Sequence, residues 1–223
     1  MEESEPNLDE VLDFRFMAIE AELSVIVEHS ESIERELPGL ITNERERLEA
    51  ELTGSDEDEY VRQSMIHQID EFADEMLPGL YRSPILVALW AIFESAILEI
   101  ATYLQKEGGH RLGVDDLRGE NVFARARKYY EHILAFPLIE SDRMTEELNV
   151  LLFVRNAIAH VNGRIEVIKA RDLEKIRAWE KTQGGIRTDG QYLTFTGEFV
   201  QRMSNAVKAS LDDLIKRVRE STG

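Results

Sequence analysis

Apolar residues recur every three or four positions along most of the chain, which is the period of helices that bury one side. Leu8, Val11, Leu12, Phe16, Ile19, Leu23, Ile26, Val27, Ile33 and Leu37 predict a long helix, and Pro38-Gly39 marks a break before a shorter one ending near Leu52. The polar, acidic run from Thr53 to Glu59 reads as a loop, and Tyr60 to Leu77 as another helix. Leu-Pro-Gly-Leu stands at 37–40 and again at 77–80, reading as two similar helix ends. Ser83-Pro84 has the chemistry of a helix start, and Ile85 to Gln105 follows as the most apolar helix in the chain. Helices are also predicted over Asn121 to Ala135, about Asp142 to Val161, and Arg171 to Lys181. From Ile186 to Phe195 residues alternate about Asp189-Gly190, the signature of a hairpin with a two-residue turn. Thr196 then caps an amphipathic helix carrying Phe199, Met203, Val207, Leu211, Leu214 and Val218 on one side.

These elements describe a mainly α protein, an up-and-down helical bundle with one short β-hairpin near 186–195. Residues 1–79 read as an acidic N-terminal helical extension and 80–223 as the bundle, so removing 1–79 is expected to leave a folded core. A length of 223 residues with 43% apolar content suits one good-sized core. The chain has no cysteine, so neither disulfides nor thiolate metal sites are available. The acidic start Met-Glu-Glu-Ser-Glu-Pro is unlike a secretory or mitochondrial targeting segment. Ile85 to Leu104 is long enough to suggest a membrane span, yet Glu94 and Glu99 lie inside it, and a charge near the bilayer centre costs roughly 3 kcal/mol. It reads as a buried central helix, and the expected location is the cytoplasm.

The formal net charge is −18, unevenly distributed. Residues 1–110 hold 27 Asp and Glu against 7 Lys and Arg, whereas residues 111–187 hold 12 against 14. Such an acidic chain does not coat nucleic acid non-specifically, but screening over about 8–10 Å lets a local basic cleft persist.

The locally basic segment contains Val150 to Gly163, where Arg155, Asn156 and His160 interrupt an apolar helix. Leu148, Leu151, Leu152 and Ile158 share a stripe with Arg155, so an arginine points where a core residue is expected. Asn156 and His160 are four apart on a neighbouring face. Arg followed five residues later by His also occurs at Arg62/His67 and Arg127/His132, so the spacing carries little by itself. The third copy differs in its apolar flanks, the adjacent Asn, and the helix stop at Asn162-Gly163, where Gly takes the left-handed cap. Arg125, Arg127, Lys128, Tyr129 and Tyr130 form a basic and aromatic cluster, a candidate path for RNA by charge and stacking.

Arg155-Asn156, three small or apolar residues and His160 resemble the Arg-polar-x3-His motif of the HEPN superfamily. The resemblance covers about residues 80–220 and extends to the long apolar helix with its internal glutamate, Glu94. It implies a metal-independent endoribonuclease that acts as a homodimer, with motif residues of both protomers lining one cleft, and with toxin or defence roles. RNA cleavage without metal requires activation of a 2′-hydroxyl, stabilisation of charge on the phosphorane and protonation of the leaving 5′-oxygen. Histidine titrates near neutrality and suits the proton transfers, while the guanidinium fork matches phosphate oxygens. His160 is thus the expected acid or base and Arg155 the phosphate ligand, with Asn156 orienting His160 or holding a phosphate oxygen. In HEPN toxins silenced by nucleotidyltransferase partners a tyrosine stands two residues after the His; here that residue is Asn162, which argues against this mode of control.

A structural alternative pairs Arg155 with a buried carboxylate, Glu94, and leaves His160 to favour the helix dipole. Two other functions stay open: a non-catalytic HEPN-like dimerisation or nucleic-acid-binding module, and a structural protein whose acidic N-terminal helices hold a basic partner. An antitoxin or other regulatory protein is a further expected partner, a membrane is not. No His-x3-His, His-Glu-x2-His, Asp-rich or glycine-rich phosphate loop occurs, so no metal or cofactor is expected.

Overall fold

The computed structural model describes residues 8–53 and 58–222. The described chain is a mainly α-helical bundle: α1 (Leu8–Thr53), α2 (Glu59–Glu71), α3 (Leu77–Glu107), α4 (Val122–His132), α5 (Asp142–Val161), α6 (Ala170–Gln183) and α7 (Gly197–Thr222), with β1 (Ile186–Arg187) and β2 (Thr194–Phe195) forming a short antiparallel hairpin. Most of the acidic loop expected at 53–59 lies outside the described residues.

The helices run through two expected breaks. Pro38 lies inside the 46-residue α1, and Pro84 inside α3. A proline within a helix costs about 3 kcal/mol, chiefly through its missing N–H and its clash with the preceding turn. Burial on either side outweighs that cost: Leu37 precedes one proline, and Ile85, Leu86, Leu89 and Trp90 follow the other, all buried. Burying such side chains fully is worth roughly 1.5–3 kcal/mol each. Between α2 and α3 a single π turn, Phe72–Met76, joins the two without a loop, so Glu59 to Glu107 is one helical run. That run contains an 18-residue window apolar enough to cross a membrane, half of it buried in the protein. The expected burial of the central helix is met on one side only: the ten buried residues from Ile85 to Leu104 fall within about 160° of its circumference, while Ala91, Ser95, Glu99 and Thr102 on the other side are exposed.

Two compact units divide the chain, and α1, α3, α5 and α7 each contribute a segment to both. The first comprises the residues up to Ile26, Ala88–Asn149 and those from Ser204 on. Trp90 and Phe93 each meet Phe123 edge to face there, and are tilted by 53° to each other, at centroid distances of 5.5–5.7 Å. The guanidinium of Arg219 stacks over the Phe16 ring at 5.4 Å, and Arg217 donates from α7 to the carbonyls of Pro137 and Leu138. The second unit comprises Val27–Val87 and Val150–Met203. Its principal polar tie is Arg82, whose fork donates to both carboxylate oxygens of Glu34 at 2.7 Å and to the carbonyl of Phe195, also at 2.7 Å. Arg45 pairs with Asp70 and Asp74, and Arg187 with Glu75.

The hairpin forms where the alternation predicts it but closes differently. Ile186 pairs with Phe195 and Arg187 with Thr194, so 188–193 form a six-residue connection rather than a two-residue turn at Asp189-Gly190. Gly190 stays outside the left-handed region that such a turn demands. Tertiary bonds draw the loop elsewhere: Thr188 donates from its amide and hydroxyl to Glu180, and Tyr192 bridges to Arg164.

Phe16, Ile19, Leu23, Leu37, Ile69 and Ala73 are all buried, so both units take core residues from the segment expected to be a separable extension. Phe16→Ala should therefore lower stability by about 3–5 kcal/mol in urea unfolding. The chain 80–223 should show a circular-dichroism spectrum of lost helix and a non-cooperative melt; a cooperative transition at the wild-type temperature would show that 1–79 contribute nothing to the core.

Candidate functional site

The motif residues lie on the last turns of α5, within the second unit. Leu148, Leu151 and Val154 are wholly buried, and Val150, Leu152 and Ala157 nearly so. A helix covered on most sides holds its last polar residues in fixed register. Arg155 and Asn156 are half-buried, and His160 is exposed in the final turn.

The helix stops through two left-handed residues. Asn162 (φ 52°) and Gly163 (φ 70°) turn back so that their amides reach the carbonyls of Ile158 and Ala157, each at 2.9 Å. Asn162 shares the conformation expected of Gly163 alone; asparagine is among the few L residues that tolerate it. The carbonyl of Gly163 then accepts from the Leu193 amide at 2.9 Å, and the Ile165 amide donates to the Gln191 carbonyl at 3.0 Å. The loop 188–193 thus fastens the chain directly after His160, a tie that no local residue pattern announces.

Arg155 has an unusual environment. Its Nη1 donates to Asn156 Oδ1 at 3.1 Å, its Nε is buried with no hydrogen-bond partner, and no ion pair of Arg155 occurs among the described residues. Glu94, the proposed counter-ion, instead accepts from the Trp90 indole N–H at 2.8 Å in the first unit. Asn156 therefore orients Arg155 through its side-chain oxygen. What results is a partly desolvated cation held by a neutral amide, with donors left over for an anion. Arg155 and His160, five residues apart, stand about 140° apart around the helix and about 7.5 Å along it. No hydrogen bond joins them.

The basic and aromatic cluster does not survive intact. Tyr129 and Tyr130 are buried, both 0% exposed, and cannot stack on a nucleobase. Tyr130 donates its hydroxyl to the Ile97 carbonyl at 2.8 Å and packs edge-on to Tyr129 and Phe136. The period of α4 that exposes Arg127 and Lys128 turns the next two residues inward. Arg125 pairs with Asp115 at 3.2 Å, and Lys128 donates to the Arg118 carbonyl at 2.8 Å. Only the charged half of the cluster faces solvent.

A hollow of about 200 Å³ in the second unit is lined by Gln68, Glu71, Phe72, Glu75 and Tyr192 among others. Its carboxylates and amides make it no anion site. Among the described residues no group of three or more His, Asp or Glu is placed to hold a metal ion. No family model, curated protein or solved structure matches this chain.

Burial raises the Tyr129 phenol above its ordinary value and the Tyr130 phenol well above it, the latter further raised by the neighbouring Tyr129. The unfolded chain releases these protons near pH 10 and the folded chain does not. The unfolded state thus binds fewer protons there, and stability falls as pH rises past about 10. In thermal melts from pH 8 to 11.5, wild type should lose stability more steeply than Tyr130→Phe; parallel profiles would mean that the buried phenol does not control the alkaline limb.

Proposed function

We propose that the chain is a metal-independent endoribonuclease of the HEPN type, cleaving RNA by attack of the 2′-hydroxyl on the adjacent phosphate. The observation that carries this reading is the half-buried Arg155 guanidinium, which has an amide to orient it and, among the described residues, no carboxylate to neutralise it. A buried carboxylate partner would have made Arg155 structural. Arg155 holds the phosphate and offsets the charge gained by the phosphorane, Asn156 sets the fork, and His160, exposed on the last turn, moves a proton.

Catalysis needs a base for the 2′-hydroxyl and an acid for the 5′-oxygen. One chain supplies a single histidine in this motif, directed away from its arginine. A homodimer that sets two α5 ends about a twofold axis brings the Arg155 of one protomer to the His160 of its partner, and provides both proton carriers. The setting that fits is the cytoplasm, with RNA as substrate, a role as toxin or defence effector, and an antitoxin or other protein as regulator. Arg125, Arg127 and Lys128 remain the candidates for backbone contacts outside the cleft.

The separation of Arg155 from His160 within one chain supports a second reading, a non-catalytic module that binds RNA through Arg155. Incubation of a mixed single-stranded and structured RNA pool in EDTA distinguishes the two. Wild type should leave 2′,3′-cyclic phosphate ends, and Arg155→Ala and His160→Ala should each lower the rate by about 10²–10⁴-fold while keeping the wild-type circular-dichroism spectrum. RNA retention without turnover, lost in Arg155→Ala alone, would establish the binding module in place of the nuclease.

A further inference from the structure

We infer that the outward face of the first turns of α1 is a docking surface for an amphipathic helix rich in lysine or arginine, supplied by a partner protein. Phe14, Met17 and Val25 are 73%, 65% and 67% exposed, and the Ala18 and Ala21 between them are exposed as well. Positions 14, 17, 18, 21 and 25 follow the i, i+3, i+4, i+7, i+11 rule of a helix seam. They stand opposite Phe16, Ile19 and Leu23, which are buried at 1%, 5% and 4%. This part of α1 is thus apolar on two opposite sides, and the fold uses one of them. Single exposed apolar residues are ordinary, but a continuous stripe about 16 Å long marks an interaction surface. Ala18 and Ala21 set small side chains between Phe14, Met17 and Val25, the alternation of small and large residues into which the knobs of a facing helix pack.

Charge selects the occupant. Glu20 and Glu22 rim the stripe on either side, both exposed. Arg15, the one cation in this stretch, is engaged with Glu99 at 3.8 Å. A second copy laid on the same stripe would set these glutamates against their equivalents, in a protein whose net charge is already −18. A helix with an apolar seam and basic flanks meets both the stripe and its rim. This inference is independent of the nuclease reading, since it involves no residue of the α5 site.

The test uses the full-length protein and a fluorescein-labelled synthetic peptide of three heptads, leucine along its seam and lysine elsewhere. A peptide of the same composition, scrambled so that no seam remains, is the comparison. By anisotropy, wild type should bind the seam peptide about tenfold or more tighter than the scrambled one. Phe14→Glu with Met17→Glu should abolish that preference although it adds negative charge. Glu20→Lys with Glu22→Lys should weaken binding while leaving the apolar stripe in place. All four positions are exposed, and unchanged thermal melts would verify the fold. Equal binding of both peptides by wild type, or undiminished binding by the Phe14/Met17 variant, would overturn the proposal by reducing it to bulk acidity. A wild-type dimer that this variant turns into a monomer in sedimentation would assign the stripe to a second copy instead. Wild-type binding to phosphatidylcholine vesicles, lost in the same variant, would assign it to a lipid surface.

Discussion

A helix as apolar as Ile85–Leu104 has to bury a broad face, and much of the rest of the structure follows from that requirement. Its ten buried residues form a face about 160° wide, broader than the single stripe of an ordinary surface helix, with Ala91, Ser95, Glu99 and Thr102 on the side left to solvent. The polar atoms that enter its surroundings are matched locally: the Trp90 indole N–H finds Glu94 one turn on, and the Tyr130 hydroxyl finds the Ile97 carbonyl. Each such bond contributes only about 1 kcal/mol net, whereas an unmatched buried group would cost about 1–3 kcal/mol. The same demand explains why Pro84 and Pro38 do not end their helices. The cost of a missing N–H is fixed, while the apolar surface that would be exposed by breaking the helix grows with every buried residue beyond the proline.

This balance also separates what was legible in the sequence from what was not. Helical period identified α3 to α7, because an amphipathic stripe records which side is buried whatever covers it. Proline and glycine identify breaks only when nothing distant opposes them, which is why the expected stop at Pro38-Gly39 and the expected start at Ser83-Pro84 were both overridden. Asp189-Gly190 failed for a related reason. Its local preference for a two-residue turn is weaker than the bonds from Thr188 to Glu180 and from Leu193 to Gly163, which pull the loop open. Tyr129 and Tyr130 looked like stacking platforms beside basic residues, yet along a helix adjacent residues can differ entirely in burial. Arg127-Lys128 and Tyr129-Tyr130 fall on opposite sides of that divide.

At the motif, sequence correctly indicated a polar interruption on a covered helix, but the function of each residue depends on partners that spacing cannot supply. Asn156 four residues before His160 suggested that the amide would steer the imidazole. Instead its oxygen holds the preceding guanidinium, and the Glu94 carboxylate expected as the alternative partner of Arg155 accepts from Trp90. An arginine kept partly out of water with no counter-ion among the described residues is a cost that packing alone does not require, since a leucine would fit the stripe of Leu148 and Leu151 without that penalty. That cost is the strongest physical reason to regard Arg155 as retained for an anion.

Charge then has to be reconciled with the RNA substrate that we propose. A protein at −18 repels nucleic acid at long range, and a site working against that field must act by close contact. At separations within the screening length a desolvated guanidinium outweighs distant surface carboxylates, because its interaction with phosphate is short, directional and poorly screened, while theirs passes through water and salt. On the proposed reading the acidic surface favours selectivity: it weakens non-specific binding along any RNA and leaves affinity to those phosphates that reach the α5 ends. The first turns of α1 place the opposite chemistry on the same chain, an apolar stripe between glutamates that suits a cationic helix.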